Sequence, residues 1–191
     1  KGINVLKAKP ESVAQPNTPA QQGQKNRMTL IVSVYRLIAA IILFGYKEQA
    51  IKKSEYNAFV SDNIMDAISL DSSQVASLDF PLLKVSKGTI GDTAITGNST
   101  TVQQRIVTID WDDTLTPVGG AQTDIAYLAV YDVTNGVWYL SDGTDLRSDG
   151  TVSTGVMGNV ALNQDYEAYL FFYAAAGGSS SDSVHIQSTA L

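Results

Sequence analysis

Cysteine is absent from all 191 residues, which excludes a disulfide framework and thiolate chemistry and leaves stability to packing or assembly. Histidine is nearly absent. With His185 alone, a two-histidine metal site is excluded and a nucleophile–base–acid triad would have to be built on that one ring. Its setting, Asp182-Ser-Val-His-Ile-Gln187, reads as a strand, so a surface strand residue is expected there rather than a base. Phosphate loops are lacking too: Gly119-Gly120 and Gly177-Gly178 sit in turn contexts without the Lys-Ser/Thr or strand-to-helix setting that cradles phosphate.

Two acidic groups remain, Asp110, Asp112 and Asp113 around Trp111, and Asp142, Asp145 and Asp149 in a loop with Gly143 and Gly150. Neither has the alternating acidic pattern with a closing Glu that an EF-hand supplies. They read as solvated loop and turn-forming acids, with calcium as the competing reading. Paired carboxylates for glycoside hydrolysis are not fixed by spacing. The aromatics Trp111, Tyr131, Tyr169, Phe171 and Tyr173, however, fall on strand positions that suit a core or an interface better than a sugar cleft. Asn98-Ser99-Thr100 matches the glycosylation acceptor pattern and is expected in a surface loop. No catalytic residue and no cofactor emerges, so the chain is read as a non-enzyme.

Charge is unevenly distributed. Residues 1–53 hold nine basic residues (Lys1, Lys7, Lys9, Lys25, Arg27, Arg36, Lys47, Lys52, Lys53) against Glu11 and Glu48, a balance of +7 that leaves −13 for the rest of a chain whose net charge is −6. An acidic body argues against general nucleic-acid binding. The opposed signs favour contact between the front of one copy and the body of another.

Three segments are expected: an extended arm over 1–18, a helical hairpin over 19–70 and a β-sandwich over 80–191. Pro10 and Pro16 deny the arm a regular helix. It does not read as a secretory signal, since Lys7 and Lys9 interrupt its apolar residues and Pro10 follows. A chain opening Lys-Gly leads us to expect residues upstream that have been removed or are missing. Thr18-Pro19 is a helix opening, with Thr as cap and Pro at the first helical position, and the helix should run to about Phe44 and stop at Gly45.

Within that helix, residues 28–44 form an apolar run interrupted by Arg36. The run has the length of the shortest membrane spans, but Arg36 at its centre costs a few kcal/mol in lipid. Membrane contact through residues 28–44 is therefore possible but disfavoured. The preferred reading is a helix buried on nearly all sides, with Thr29, Ser33, Arg36 and Ala40 as a more tolerant stripe. A second, amphipathic helix is expected from about Ser54 to Ile68, its rhythm of Tyr56, Phe59, Val60, Asn63, Ile64, Ala67 and Ile68 broken only by Asn63.

Seven strands are expected: 82–85, 105–111, 125–132, 137–140, 151–157, 167–174 and 182–187, with Asn135-Gly136 as a two-residue hairpin signal. The fold class is thus α+β, an arm and helical hairpin followed by a seven-stranded antiparallel sandwich. Val107-Thr-Ile-Asp-Trp111, and Leu162-Asn-Gln-Asp-Tyr166 leading into Tyr173 and a Gly/Ser hairpin, resemble the early strand, corner tyrosine and last hairpin of a fibronectin type III or immunoglobulin-like domain. The helical front is foreign to that pattern, and the resemblance implies no activity. Over nearly its whole length the chain also resembles an uncharacterised domain-of-unknown-function family of the Bacteroidota. The matching pieces are Lys1-Gly-Ile-Asn-Val-Leu-Lys-Ala-Lys-Pro10, Asn17-Thr-Pro-Ala-Gln21, Tyr56-Asn-Ala-Phe59, Val85-Ser-Lys-Gly88, Ile109-Asp-Trp111, Thr123-Asp124 and Ser181-Asp-Ser183. This resemblance implies a bacterial or phage origin and carries over no catalytic residue.

These readings lead to a self-assembling structural subunit of an extracellular filament or a phage-like virion, partnered by copies of itself head to tail. Ile3, Val5, Leu6, Leu30, Ile31, Val34, Leu37, Ile38, Ile41 and Ile42 are the expected subunit interface. The alternative is a cell-surface carbohydrate- or protein-binding sandwich anchored by the apolar helix.

Overall fold

The computed structural model describes residues 18–91, 94–101, 106–155 and 165–187, with backbone only for 97–101. Helix α1, Pro19–Gly45, begins as expected: the Thr18 hydroxyl accepts from the Gln21 N–H, the Gln21 side chain accepts from the Thr18 N–H, and Pro19 occupies the first turn. This reciprocal box satisfies two of the helix's orphan amides. At the other end Gly45 does not serve as a left-handed cap. It is glycine because a Cβ there would lie 2.5 Å from the Val85 carbonyl oxygen.

Helix α2 is shorter than its periodicity implies, Glu55–Asn63 rather than Ser54 to Ile68. The apolar rhythm continues past its end because Ala67 and Ile68 are buried by a different element. That element is a hairpin of β1 (Ile68–Leu70) and β2 (Ala76–Leu78), whose turn is held by Asp71 Oδ1 accepting from the Ser73 and Val75 N–H groups. Strands of three residues are too short to show a period.

Asn63, the one polar residue on the apolar face of α2, is completely buried. Its side chain donates to the Phe59 and Lys84 carbonyls and accepts from the Lys84 N–H at 2.8 Å. The segment expected as a strand at 82–85 is therefore no strand. Phe80–Leu82 makes a single 3-10 turn, and beyond it the Lys84 and Val85 N–H groups are taken by the side chains of Asn63 and Ser183.

The remaining strands form two antiparallel sheets. The larger has the order β10 (Val184–Gln187), β8 (Tyr166–Ala174), β5 (Ile125–Asp132), β6 (Val137–Leu140), with the short β9 (Ser179–Ser180) also on β8. The smaller has the order β3 (Ile95–Thr101), β4 (Ile106–Trp111), β7 (Thr151–Ser153). Strands β5 and β6 have the expected limits. Their connection is a four-residue loop, since Asp132 pairs with Val137, and Gly136 takes a positive φ of 67°. Strand β3 was not expected because its residues are mostly small and polar. Of the strand anticipated at 151–157, Thr151–Ser153 is formed, while residues 156 and 157 lie outside the described ones.

Two hydrophobic cores result. One lies between the sheets, where Val107, Ile109 and Trp111 of β4 meet Ala126, Leu128 and Val130 of β5 and Ala168, Leu170 and Phe172 of β8. The other lies on the opposite face of the larger sheet, where Tyr127, Ala129, Tyr169 and Phe171 meet Ile31, Ile38, Ile41 and Ile42 of α1 and Phe59 of α2. The larger sheet is thus covered on both faces. Its strands lose the in/out alternation of a half-exposed sheet, and seven consecutive residues of β8, Tyr166 to Phe172, are buried.

Candidate functional site

The residues expected at a subunit interface divide three ways. Ile31, Val34, Ile38, Ile41 and Ile42 are buried in the chain's own core, so they present no surface to a neighbour. This corrects the expectation for these five residues, whose partner is the larger sheet of the same chain, while Met28, Leu37 and Leu43 on the outer side of α1 are 40%, 57% and 50% exposed. Leu30 is half-buried against that core. Ile3, Val5 and Leu6 lie outside the described residues. Thr29, Ser33, Arg36 and Ala40 are exposed as anticipated, but α1 is not buried on nearly all sides: its solvent side is wider than that stripe and includes Met28, Leu37 and Leu43. The helix is long and apolar enough to cross a bilayer.

The acidic groups are used in local structure. Asp112 and Asp142 each accept from the backbone and hydroxyl of the Thr two residues on, which holds both carboxyls below the usual carboxylate range. Asp149 accepts from the Leu146 N–H at 2.7 Å. Burial, and then the neighbouring Asp142, push the Asp145 carboxyl up. Among the described residues no three His, Cys, Asp or Glu side chains converge as a metal would require.

The two acid-bearing loops are pinned by Arg147, which the sequence reading passed over. Its side chain is fully buried, with Nε 3.4 Å from Asp124 Oδ2 and the guanidinium 3.7 Å above the Phe172 ring. Its carbonyl accepts from Trp111 Nε1 at 2.8 Å. Burial draws its pKa down while Asp124 opposes the shift. Such a pair fixes geometry more than it stabilises. Asn98-Ser99-Thr100, expected in a loop, forms part of β3.

Among the described residues, several polar and titratable side chains gather where β10 meets the segment after the β1–β2 hairpin. A depression of about 500 Å³ is lined there by Asp66, Pro81, Leu82, Leu83, Lys84, Ser183 and His185. His185 is not a plain surface residue: its Nε2 lies 2.6 Å from Glu167 Oε2, and its ring stands 5.2 Å from that of Tyr169. The register places His185 opposite Tyr169 and Glu167 opposite Gln187, so the pair is a diagonal contact across two strands, invisible before the register is known. Tyr169 donates to the Phe80 carbonyl at 2.9 Å, and burial, then Glu167 and Asp79, push its phenol well above the ordinary range. Ser183 Oγ accepts from the Val85 N–H. This arrangement binds strands and segments together through one carboxylate–imidazole contact and two neutral hydrogen bonds.

The chain matches the family of unknown function DUF6266 over residues 1–187. It belongs to this family. The match runs from the front arm through both helices to the last strand, so helices and sheets together are the family's unit. No curated protein matches the chain.

Proposed function

We propose that this DUF6266 chain is a non-enzymatic, self-assembling structural subunit of an extracellular filament or virion-like particle, joined to copies of itself through its N-terminal arm. The observation that supports this reading is the opposition of charge along the chain: Lys1, Lys7 and Lys9 stand against Glu11 in residues 1–17, and α1 begins beyond them with its own cap at Thr18. Residues 1–17 also bring the apolar side chains Ile3, Val5 and Leu6. The body from Ser54 onward carries the opposite charge, which favours arm-to-body contact over body-to-body contact.

Side-chain burial alone does not hold such an arm. Three apolar side chains contribute about 5–9 kcal/mol, whereas ordering each backbone residue costs about 1–2 kcal/mol. Main-chain hydrogen bonding to a sheet edge is the natural supplement. Light scattering and electron microscopy of the full chain and of a chain lacking residues 1–17 test the reading. Large regular assemblies that dissolve on truncation support it; assemblies indifferent to the truncation refute it.

A second reading, a ligand-binding sandwich of fibronectin type III or immunoglobulin type, is supported by the packing of a three-stranded against a five-stranded antiparallel sheet and by the β4–β5 loop, where Leu115 and Val118 are 61% and 87% exposed. A bacterial or phage origin in the Bacteroidota fits either reading.

A further inference from the structure

We propose that the open edge of β10, with the depression beside it, receives residues 1–17 of a neighbouring copy as an added strand. The inference rests on the assembly reading above and names the surface it uses. β10 is the terminal strand of the larger sheet, and among the described residues no strand pairs with its far side. An open edge presents unpaired N–H and C=O groups, and proteins usually blunt it with Lys, Pro or a covering segment. Val184-His-Ile-Gln187 carries no Lys or Pro, and its one titratable ring is engaged by Glu167.

The depression supplies what an added strand needs on one face. Leu82 is 50% exposed and stands beside Pro81, an apolar wall without an occupant in the chain's described residues. In the arm, Ile3, Val5 and Lys7 share one face of an extended strand and Asn4 and Leu6 the other. With the first face turned toward the depression, Ile3 and Val5 cover Leu82 and Pro81 and Lys7 comes to Asp66 at its lip.

Charge agrees with that placement. Asp66 lies in the lining of the depression, and Lys84 beside it reaches its carboxylate only at 3.9 Å between two well-exposed groups, which leaves Asp66 open to a second cation. The arm brings three lysines and one glutamate. Its length is sufficient: seventeen extended residues span up to about 56–61 Å, more than the width of a domain of this size.

The chain's lack of cysteine makes the test direct. Copies carrying Val5→Cys are mixed under oxidising conditions with copies carrying Leu82→Cys, and in parallel with copies carrying Val137→Cys at the opposite sheet edge or Leu115→Cys in the β4–β5 loop. The expected result is a disulfide-linked heterodimer with Leu82→Cys in about tenfold excess over either other position. Equal linkage at all three positions, preferred linkage at 137 or 115, or a link formed only within single chains carrying both Val5→Cys and Leu82→Cys overturns the proposal. Leu82→Glu, at an exposed position, should raise the concentration needed for assembly about tenfold without lowering the melting temperature; an unchanged assembly concentration also overturns it. If truncation of residues 1–17 dissolves the assembly while Val5→Cys links elsewhere, only the docking site is wrong. If truncation leaves the assembly intact, the assembly reading itself falls.

Discussion

Adjacent positions 37 and 38 on α1 separate a helix that belongs to its own fold from one that belongs to a neighbour or a membrane. Ile38 is fully buried in the core shared with the larger sheet, whereas Leu37 is more than half exposed. Ile38→Ala removes three carbons and leaves a void that the surrounding Ile, Phe and Tyr side chains fill only in part. Substitutions of this kind cost about 2–5 kcal/mol, and at this chain length each kcal/mol lowers the melting temperature by about 2–4 °C. A loss of about 3.5 kcal/mol, or about 7–14 °C, is expected. Leu37→Ala should stay within about 0.5 kcal/mol of the parent. Urea titrations followed by circular dichroism supply both the midpoint and the slope, and an unchanged slope ties the shift to stability rather than to a changed unfolded state. Equal losses at the two positions, or a silent Ile38→Ala beside a disruptive Leu37→Ala, would refute the placement of α1 inside the chain.

Asn63→Ala would leave the Lys84 N–H and carbonyl without their buried partner, and a loss of about 2–4 kcal/mol is expected from chemical denaturation; a loss below about 0.5 kcal/mol would mean that water replaces the clamp. Gly88→Ala places a Cβ 1.8 Å from the Ser180 carbonyl oxygen. Amide exchange should therefore report loss of the Ile90–Ser180 hydrogen bond and of protection around it, and unchanged protection would contradict the close approach. Asp145 has a raised folded pKa, so its contribution is fully present below its unfolded pKa and is lost as pH rises through the folded value. Asp145→Asn should accordingly raise the melting temperature at pH 7 and lose that advantage in acid; a benefit independent of pH would place its cause elsewhere.

Much of the architecture was legible in the chain because its signals were local. The capping box at Thr18 and Gln21, the strands at 125–132 and 137–140, and the exposed stripe at Thr29, Ser33, Arg36 and Ala40 each follow from neighbouring residues alone. What failed was non-local. The fate of Ile31 to Ile42 depended on a sheet whose β5 and β8 are buried on both faces, and no helical period announces which partner will cover it. The end of α2 was hidden because Ala67 and Ile68 continue an apolar rhythm while serving a hairpin. Asn63 did carry a signal, since a polar residue in an apolar stripe must find partners, but not the address of Lys84. The Glu167–His185 pair and the burial of Arg147 exist only once strands and loops have been placed.

The double covering of the larger sheet sets the order of events during synthesis. Ile31 to Ile42 leave the ribosome early, yet the side chains that shelter them, up to Phe171, come near the end. At ordinary elongation rates the interval is about 6–26 s. Throughout it Ile31, Val34, Ile38, Ile41 and Ile42 wait without the sheet that later shelters them, a nascent apolar stripe exposed to aggregation for seconds.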